Sequence, residues 1–223
     1  MTNCVLVVAA HTDDEALGCG GTIARHVAEG DTVYGVFMAD GVTSWIGADE
    51  LDLLGRNATA ENARAILGIR ENIYLNLPDN QMDSVPFINV VQKLEPIIKK
   101  LQPNIVYTHH HGDLNIDHRV THQAVMTACR PTPCSSVRDI NAFEVMSSTD
   151  WAGHGQEPFI PDVFVDISCT WEVKRSALEA YAQEMRQPPH SRSIEHLDFL
   201  SRHRGASVGR DRAEAFILVR SLR

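Results

Sequence analysis

The chain has 223 residues, 43 % of them hydrophobic, with a formal net charge of −9 and a pI near 5.6. This is enough for one compact domain, residues 1–223, and the acidic balance excludes the dense basic footprint that nucleic acid or an anionic membrane surface requires. No apolar run approaches the roughly 18 residues of a membrane span, and the first one lacks the charged flank and length of a secretory signal, so a cytoplasmic location is expected.

The first predicted element is a buried strand over residues 5–10, which stops abruptly at His11-Thr12-Asp13-Asp14-Glu15. Leu17, Ile23, Ala24 and Val27 then have helical spacing up to Glu29, with Gly30 as the stop, and residues 32–39 read as a second strand. A loop over 40–50 follows. Residues 56–67 are helical in pattern and end at Gly68, a short strand lies around 73–75, and a long helix is expected over 85–101 with Pro96 as a possible kink. A strand over 104–108 ends in a second polar cluster, His109-His110-His111-Gly112-Asp113-Leu114-Asn115-Ile116-Asp117-His118. After it come a helix over 118–128, strands over 141–146, 162–167 and 215–219, and a helix over 171–185. Alternating strands and helices of this kind predict an α/β fold, a single-domain Rossmann-like three-layer sandwich with a mostly parallel sheet. Five cysteines, Cys4, Cys19, Cys129, Cys134 and Cys169, contain no CxxC pair and read as reduced thiols.

Both polar clusters fall just past predicted strands, where open α/β sheets carry their ligands. A catalytic zinc site uses three protein ligands and leaves a fourth position to water, and His11, Asp14 and His118 could supply that set. Asp13 is a second carboxylate available as base. The alternative for the Asp-Asp-Glu run is an ordinary acidic first turn of a helix, and this stays open for Glu15. Gly18, Gly20 and Gly21 do not complete a dinucleotide fingerprint, because position 23 is Ile23, and are expected to allow close packing of helix on sheet.

With these residues in place, the sequence resembles the GlcNAc-phosphatidylinositol de-N-acetylase-like (PIG-L/LmbE-like) zinc deacetylases. Their Ala-His-Pro-Asp-Asp-Glu signature reads here Ala10-His11-Thr12-Asp13-Asp14-Glu15. The likeness continues through Gly18-Cys19-Gly20-Gly21-Thr22, Arg56 with Glu61 and Leu67-Gly68, Leu77-Pro78-Asp79, Asp117-His118, and Gly209 with Ala213-Glu214-Ala215-Phe216. The resemblance implies that His11, Asp14 and His118 bind zinc, that Asp13 is the general base, and that Asp117 orients a neighbouring group. It further implies an N-acetylated sugar or sugar conjugate as substrate, nucleotide- and lipid-linked sugars of cell-surface polysaccharide synthesis included, with acetate and a free amine as products, Arg56 as a contact to the polar substrate, and assembly into homo-oligomers. Iron(II) is accepted by the same donors. The alternatives are a sugar-binding member with reduced catalysis and an amidase acting on thiol-sugar conjugates.

Two positions depart from the pattern. Thr12 stands in place of proline, which frees φ but keeps the ligand spacing. Asn115 stands where many members carry a histidine, and an amide cannot deliver a proton. His110, His111 or His190 is therefore expected to take that role; His190 is placed among the catalytic residues, and His110, His111, Asn115 and Glu15 around the substrate. Specificity is expected in the loops 40–55, 81–86 and 149–161, with Trp45, Trp151 and Phe159 as candidates to stack on a sugar face or to serve as core or subunit contacts.

Overall fold

The computed structural model describes residues 2–44, 47 and 50–223. Seven strands form one sheet: β1 (Cys4–Ala9), β2 (Thr32–Ala39), β3 (Glu71–Leu77), β4 (Ile105–His109), β5 (Asp139–Phe143), β6 (Val163–Asp166) and β7 (Ala213–Ser221). Their order is β3-β2-β1-β4-β5-β7-β6. The pairings from β3 across to β5 are parallel, whereas β7 runs antiparallel to both β5 and β6.

Strand β1 is interior and covered on both faces, which is why its sequence is an unbroken apolar run rather than an alternating one. Val5 and Val7 point into a core shared with helices α1 (Asp14–Ala28), α2 (Glu50–Leu67), α5 (Trp171–Ala180) and α6 (Ile194–Ala206). Leu6 and Val8 point the other way, into a core shared with α3 (Phe87–Leu101) and α4 (Ile116–Ala128). The result is the three-layer α/β sandwich that the sequence pattern predicts. From β1 the chain builds outward to β2 and β3, then crosses back to β4 and β5 on the other side. The strand order therefore reverses between β1 and β4, and a crevice at their carboxyl ends is the expected consequence.

Several boundaries differ from the sequence reading. Helix α2 begins at Glu50, six residues before Arg56, and includes Gly55. Pro96 lies inside α3 without ending it. Helix α5 stops at Ala180 and not at Met185; Tyr181, the next residue, is 1 % exposed in the core. Helix α6 has no counterpart in the sequence reading. Leu197, Ser201 and Gly205 are its buried residues, while Phe199 faces outward, so its apolar stripe is too thin to read from spacing. Its start does carry a signal: the Ser193 hydroxyl accepts the His196 N–H at 3.1 Å. Trp45 lies outside the described residues.

Helix α1 carries the first polar cluster and is broken at Cys19, whose φ of −146° and ψ of 22° are not helical. One buried ion pair bridges the break. Lys174 donates to the Leu17 carbonyl at 2.8 Å and to Glu214 at 2.5 Å, and Glu214 in turn accepts the N–H groups of Gly21 (2.9 Å) and Thr22 (2.7 Å). The ammonium thus caps the end of the first segment, and the carboxylate caps the start of the second. The glycines allow the broken helix to lie against the sheet: a Cβ at Gly18 would collide with the Phe143 ring, and one at Gly21 would lie 2.8 Å from Ile167 Cγ2. Removing one partner of a buried pair leaves the other charge uncompensated, so Glu214→Ala should cost about 3–5 kcal/mol of stability by urea denaturation. A loss below about 1 kcal/mol would show that the pair does not hold the break.

Candidate active site

The crevice between β1 and β4 is a cleft of about 530 Å³, lined by His11, Asp13, Asp14 and His118 at its floor. His11 and Asp13 follow β1, and Asp14 opens α1; Asp79 follows β3, and His118 lies in the first turn of α4. Parallel strands with their carboxyl ends side by side are what bring these distant positions together.

Three donor atoms converge. Asp14 Oδ2 lies 3.3 Å from His11 Nδ1 and 3.4 Å from His118 Nε2, and the ligand atoms of the three residues all fall within 4.8 Å of one another. The opposite ring nitrogens are already engaged. His11 Nε2 faces Asp79 at 3.1 Å and Asp117 at 3.2 Å, and His118 Nδ1 faces Asp113 at 3.2 Å. A ring nitrogen that donates to a carboxylate leaves its partner nitrogen as a lone pair, and those lone pairs point at the third ligand. His109 stacks behind His118 with ring centroids 3.9 Å apart and accepts the Ala10 N–H at 2.8 Å; burial pushes it down to about 4, so it stays neutral.

The supporting carboxylates are themselves held. Asp117 accepts the N–H groups of Asn80 (2.7 Å) and Met82 (3.0 Å), while Asp113 accepts the Asn115 N–H at 2.8 Å and the hydroxyls of Ser148 and Thr149. The cluster calls for positive charge. Although burial works the other way, the Asp14 and Asp113 carboxylates push the His118 imidazole up to about 9, and Asp117, Asp14 and Asp79 raise His11 as well. Two imidazole lone pairs and one carboxylate, ringed by further buried acids, fit a divalent cation of the zinc or iron(II) type.

Asp13 is buried beside this set and strained. Its φ of 118° lies in a region that non-glycine residues rarely occupy, at a typical cost of about 1–3 kcal/mol. Three contacts hold it: its N–H donates to Glu15 at 3.0 Å, its carbonyl accepts the Leu17 N–H at 2.9 Å, and its carboxylate pairs with Arg192 at 3.1 Å. Burial pushes the Asp13 carboxyl up to about 6, against the pull of the neighbouring guanidinium.

The other expected residues divide clearly. Asp117 faces His11 Nε2 at 3.2 Å. Arg56 lines the cleft and pairs with Glu184 at 2.6 Å, not with Glu61, which is held by Arg64. Asn115 lines the cleft as well, and its oxygen caps α4 by accepting the Asp117 N–H at 2.8 Å. Glu15 does not reach the cleft. It is buried behind Asp13, bonded to the Tyr181 hydroxyl at 2.7 Å, and pushed up to about 7 by burial. His110 and His111 are also absent from the lining: His110 is buried against the Glu157 carbonyl, and His111 pairs with the Glu157 carboxylate. His190 packs its ring against Trp151, and the residue its segment sends into the cleft is Arg192. Trp151 stands at the cleft, 52 % exposed, whereas Phe159 lies against His110 and beneath Arg204.

Sequence reasoning did not assign Asp79, Asp113, Glu184 or Arg192. Asp79 and Asp113 carry a signal, since each follows a predicted strand; Glu184 and Arg192 carry none, because the chain after α5 is irregular.

Residues 6–129, more than half of the chain, match the family model described as GlcNAc-PI de-N-acetylase, PIG-L. The chain belongs to the PIG-L family. Like other PIG-L proteins it is a hydrolase of the deacetylase class. The uncharacterized deacetylase YaiS of Escherichia coli (strain K12) is 32 % identical over 183 residues, spanning 79 % of this chain and 89 % of that protein. A probable N-acetyl-alpha-D-glucosaminyl L-malate deacetylase 2 of Bacillus cereus is 28 % identical, over 81 % of this chain and 83 % of the relative. Among solved structures, the conserved protein TT1542 from Thermus thermophilus superposes with a TM-score of 0.79 at 26 % identity, covering 100 % of this chain and 97 % of the other. In this PIG-L chain the amide at position 115 serves as a helix cap, so Asn115→Ala should cost about 1 kcal/mol by chemical denaturation and Asn115→Asp much less. Equal losses for the two would remove the capping role.

Proposed function

We propose that this chain is a zinc-dependent N-deacetylase that hydrolyses the acetamide of an N-acetylated sugar or sugar conjugate. The observation that carries the reading is the convergence of His11 Nδ1, Asp14 Oδ2 and His118 Nε2 beside a braced carboxylate, Asp13, at the floor of an open polar cleft. The sugar substrates named for relatives, an N-acetylglucosaminyl malate and an acetamido-glucopyranoside of inositol, support the substrate class.

His11, Asp14 and His118 would hold a zinc ion, which would supply Lewis acidity toward the amide carbonyl and lower the pKa of a nearby water. Asp13 takes the proton from that water as its oxygen bonds to the acetyl carbon. When the carbon–nitrogen bond breaks, the nitrogen needs a proton. His110, His111 and His190 lie outside the cleft lining, which supports the reading that Asp13 returns it, giving acetate and a free amine. Asp117 and Asp113 keep the two imidazoles in the tautomers that leave their ligand nitrogens free. Glu15 and Tyr181 keep Asp13 in its strained backbone conformation, and Arg192 fixes the direction of its carboxylate. Arg56 stands at the wall, where a guanidinium suits contact with sugar hydroxyls.

Elemental analysis after dialysis against metal-free buffer tests the ligand set: the wild type should retain about one zinc per chain and His118→Ala should lose it. Normal retention by His118→Ala would overturn the assignment, and iron in place of zinc would correct the metal. Asp13→Asn should keep the metal and lose at least about 100-fold in kcat for acetate release. Turnover within about threefold of the wild type would remove Asp13 from the chemistry.

A further inference from the structure

A second cavity, of about 190 Å³, lies beside the catalytic cleft, between Thr12, the amino-terminal half of α2 and the turn that follows α5. It is open to solvent on the side of Leu51, which is 73 % exposed. Among the described residues, Arg56 and Glu184 are the two that line both spaces, so their 2.6 Å ion pair is the partition between cleft and chamber. The Arg56 side is fixed from behind, because Nη2 donates to the Thr12 carbonyl at 3.1 Å. Glu184 is the looser half: its side chain is 21 % exposed, against 11 % for Arg56, and it sits in a turn rather than a helix.

The deep end of the chamber holds a polar group that the fold does not use. Thr12 is 3 % exposed, and its hydroxyl has no hydrogen-bond partner among the described residues. A buried hydroxyl left unpaired is unfavourable, and a ligand that accepts from it removes that cost. Beside it stands the Arg56 guanidinium, whose planar fork matches a carboxylate. Tyr181 closes the space from below, and a Cβ at Gly55 would meet no atom within 4 Å, so that glycine answers no packing contact and leaves the chamber open. Two acids in the wall, Asp52 and Glu184, work against an anion. The exchange that admits one is like for like: an incoming carboxylate takes the place of Glu184 on the guanidinium, and Glu184 turns into solvent, so neither charge on the pair is left buried without compensation. That exchange suits a small acid with one carboxylate and little else.

We propose that this chamber is a binding site for a small carboxylate on Arg56 and Thr12, and that its ligand is acetate, passed through the Arg56–Glu184 partition after the amide is cleaved. The identity of the ligand as a reaction product rests on the deacetylase reading, whereas the site itself does not. Two openings then serve two products: the amine leaves by the cleft and the acid by the chamber.

Titration of the zinc-loaded protein with methyl-labelled acetate, followed by NMR, tests the site without turnover. The Thr59 methyl resonance should shift to saturation, and the acetate methyl should show nuclear Overhauser contacts to the Thr12 methyl and the Tyr181 ring. Thr12→Val should weaken acetate at least about threefold with no loss of stability to urea, because the hydroxyl it removes supports nothing in the fold. Glu184→Gln removes the competing carboxylate and should tighten acetate at least about threefold. Absence of saturation, contacts confined to His11 and His118 at the cleft floor, or an affinity unchanged in either variant would overturn the site. Acetate release from N,N'-diacetylchitobiose separates the two claims. A wild type that binds acetate in the chamber but releases none from N-acetylated sugars would defeat the deacetylase reading and the role of acetate as product, and one that turns over without the chamber contacts would defeat the site alone.

Discussion

Everything at the centre of this molecule depends on two imidazole–carboxylate contacts. His11 Nε2 is held by Asp117 and Asp79, and His118 Nδ1 by Asp113, so each ring has one nitrogen fixed as donor and the other left as a lone pair. Without those acids either tautomer would be available and the rings could turn. With them, two lone pairs converge on Asp14, and the acids are in turn immobilised by backbone N–H groups and hydroxyls. The same arrangement concentrates negative charge in a dry place, which is costly unless a cation shares it. Binding a metal and stabilising the floor of the cleft are thus one electrostatic problem.

The sheet solves the placement. Its strand order reverses between β1 and β4, so the residues just past these strands face each other across the crevice with no need for a long loop. Helix α1 then has two tasks that conflict: it must present Asp14 to the metal position and also pack closely on the sheet. The break at Cys19 separates them. The first turn follows the site, the second segment follows the sheet, and the Lys174–Glu214 pair satisfies the backbone groups freed between them.

Much of this is legible in the sequence, for physical reasons that differ by element. The parallel strands are readable because burial on both faces makes them continuous apolar runs, and His11 and Asp14 stand out as candidates because they follow such a run directly. Glu15 is misplaced by sequence position alone, which does not distinguish an acid that faces a cleft from one that turns beneath its neighbour; the positive φ at Asp13 decides that, and nothing in the local sequence announces it. His190 lies two residues from Arg192, the side chain of its segment that lines the cleft. Its segment does reach the site, but a loop without periodicity gives no means of telling which of its side chains points inward. His110 and His111 lie away from the cleft lining because the strand ending at His109 hands the chain to a turn that carries both rings to the Glu157 side.

The division of labour along the chain has a consequence for biogenesis. The converging donors His11, Asp14 and His118 and the acids that face the two imidazoles all lie between His11 and His118, whereas Tyr181, Glu184 and Arg192, which brace Asp13 and Arg56, come from the last quarter. During synthesis the half that carries these donors emerges first, before the residues that brace Asp13. The final strand of the parallel core, β5, is completed against β7, so the carboxyl-terminal segment closes the sheet and finishes the cleft in the same event. A chain halted before that point carries His11, Asp14 and His118 while the Asp13 carboxylate still lacks its Arg192 partner, which separates assembly of the donor set from bracing of the neighbouring acid in time.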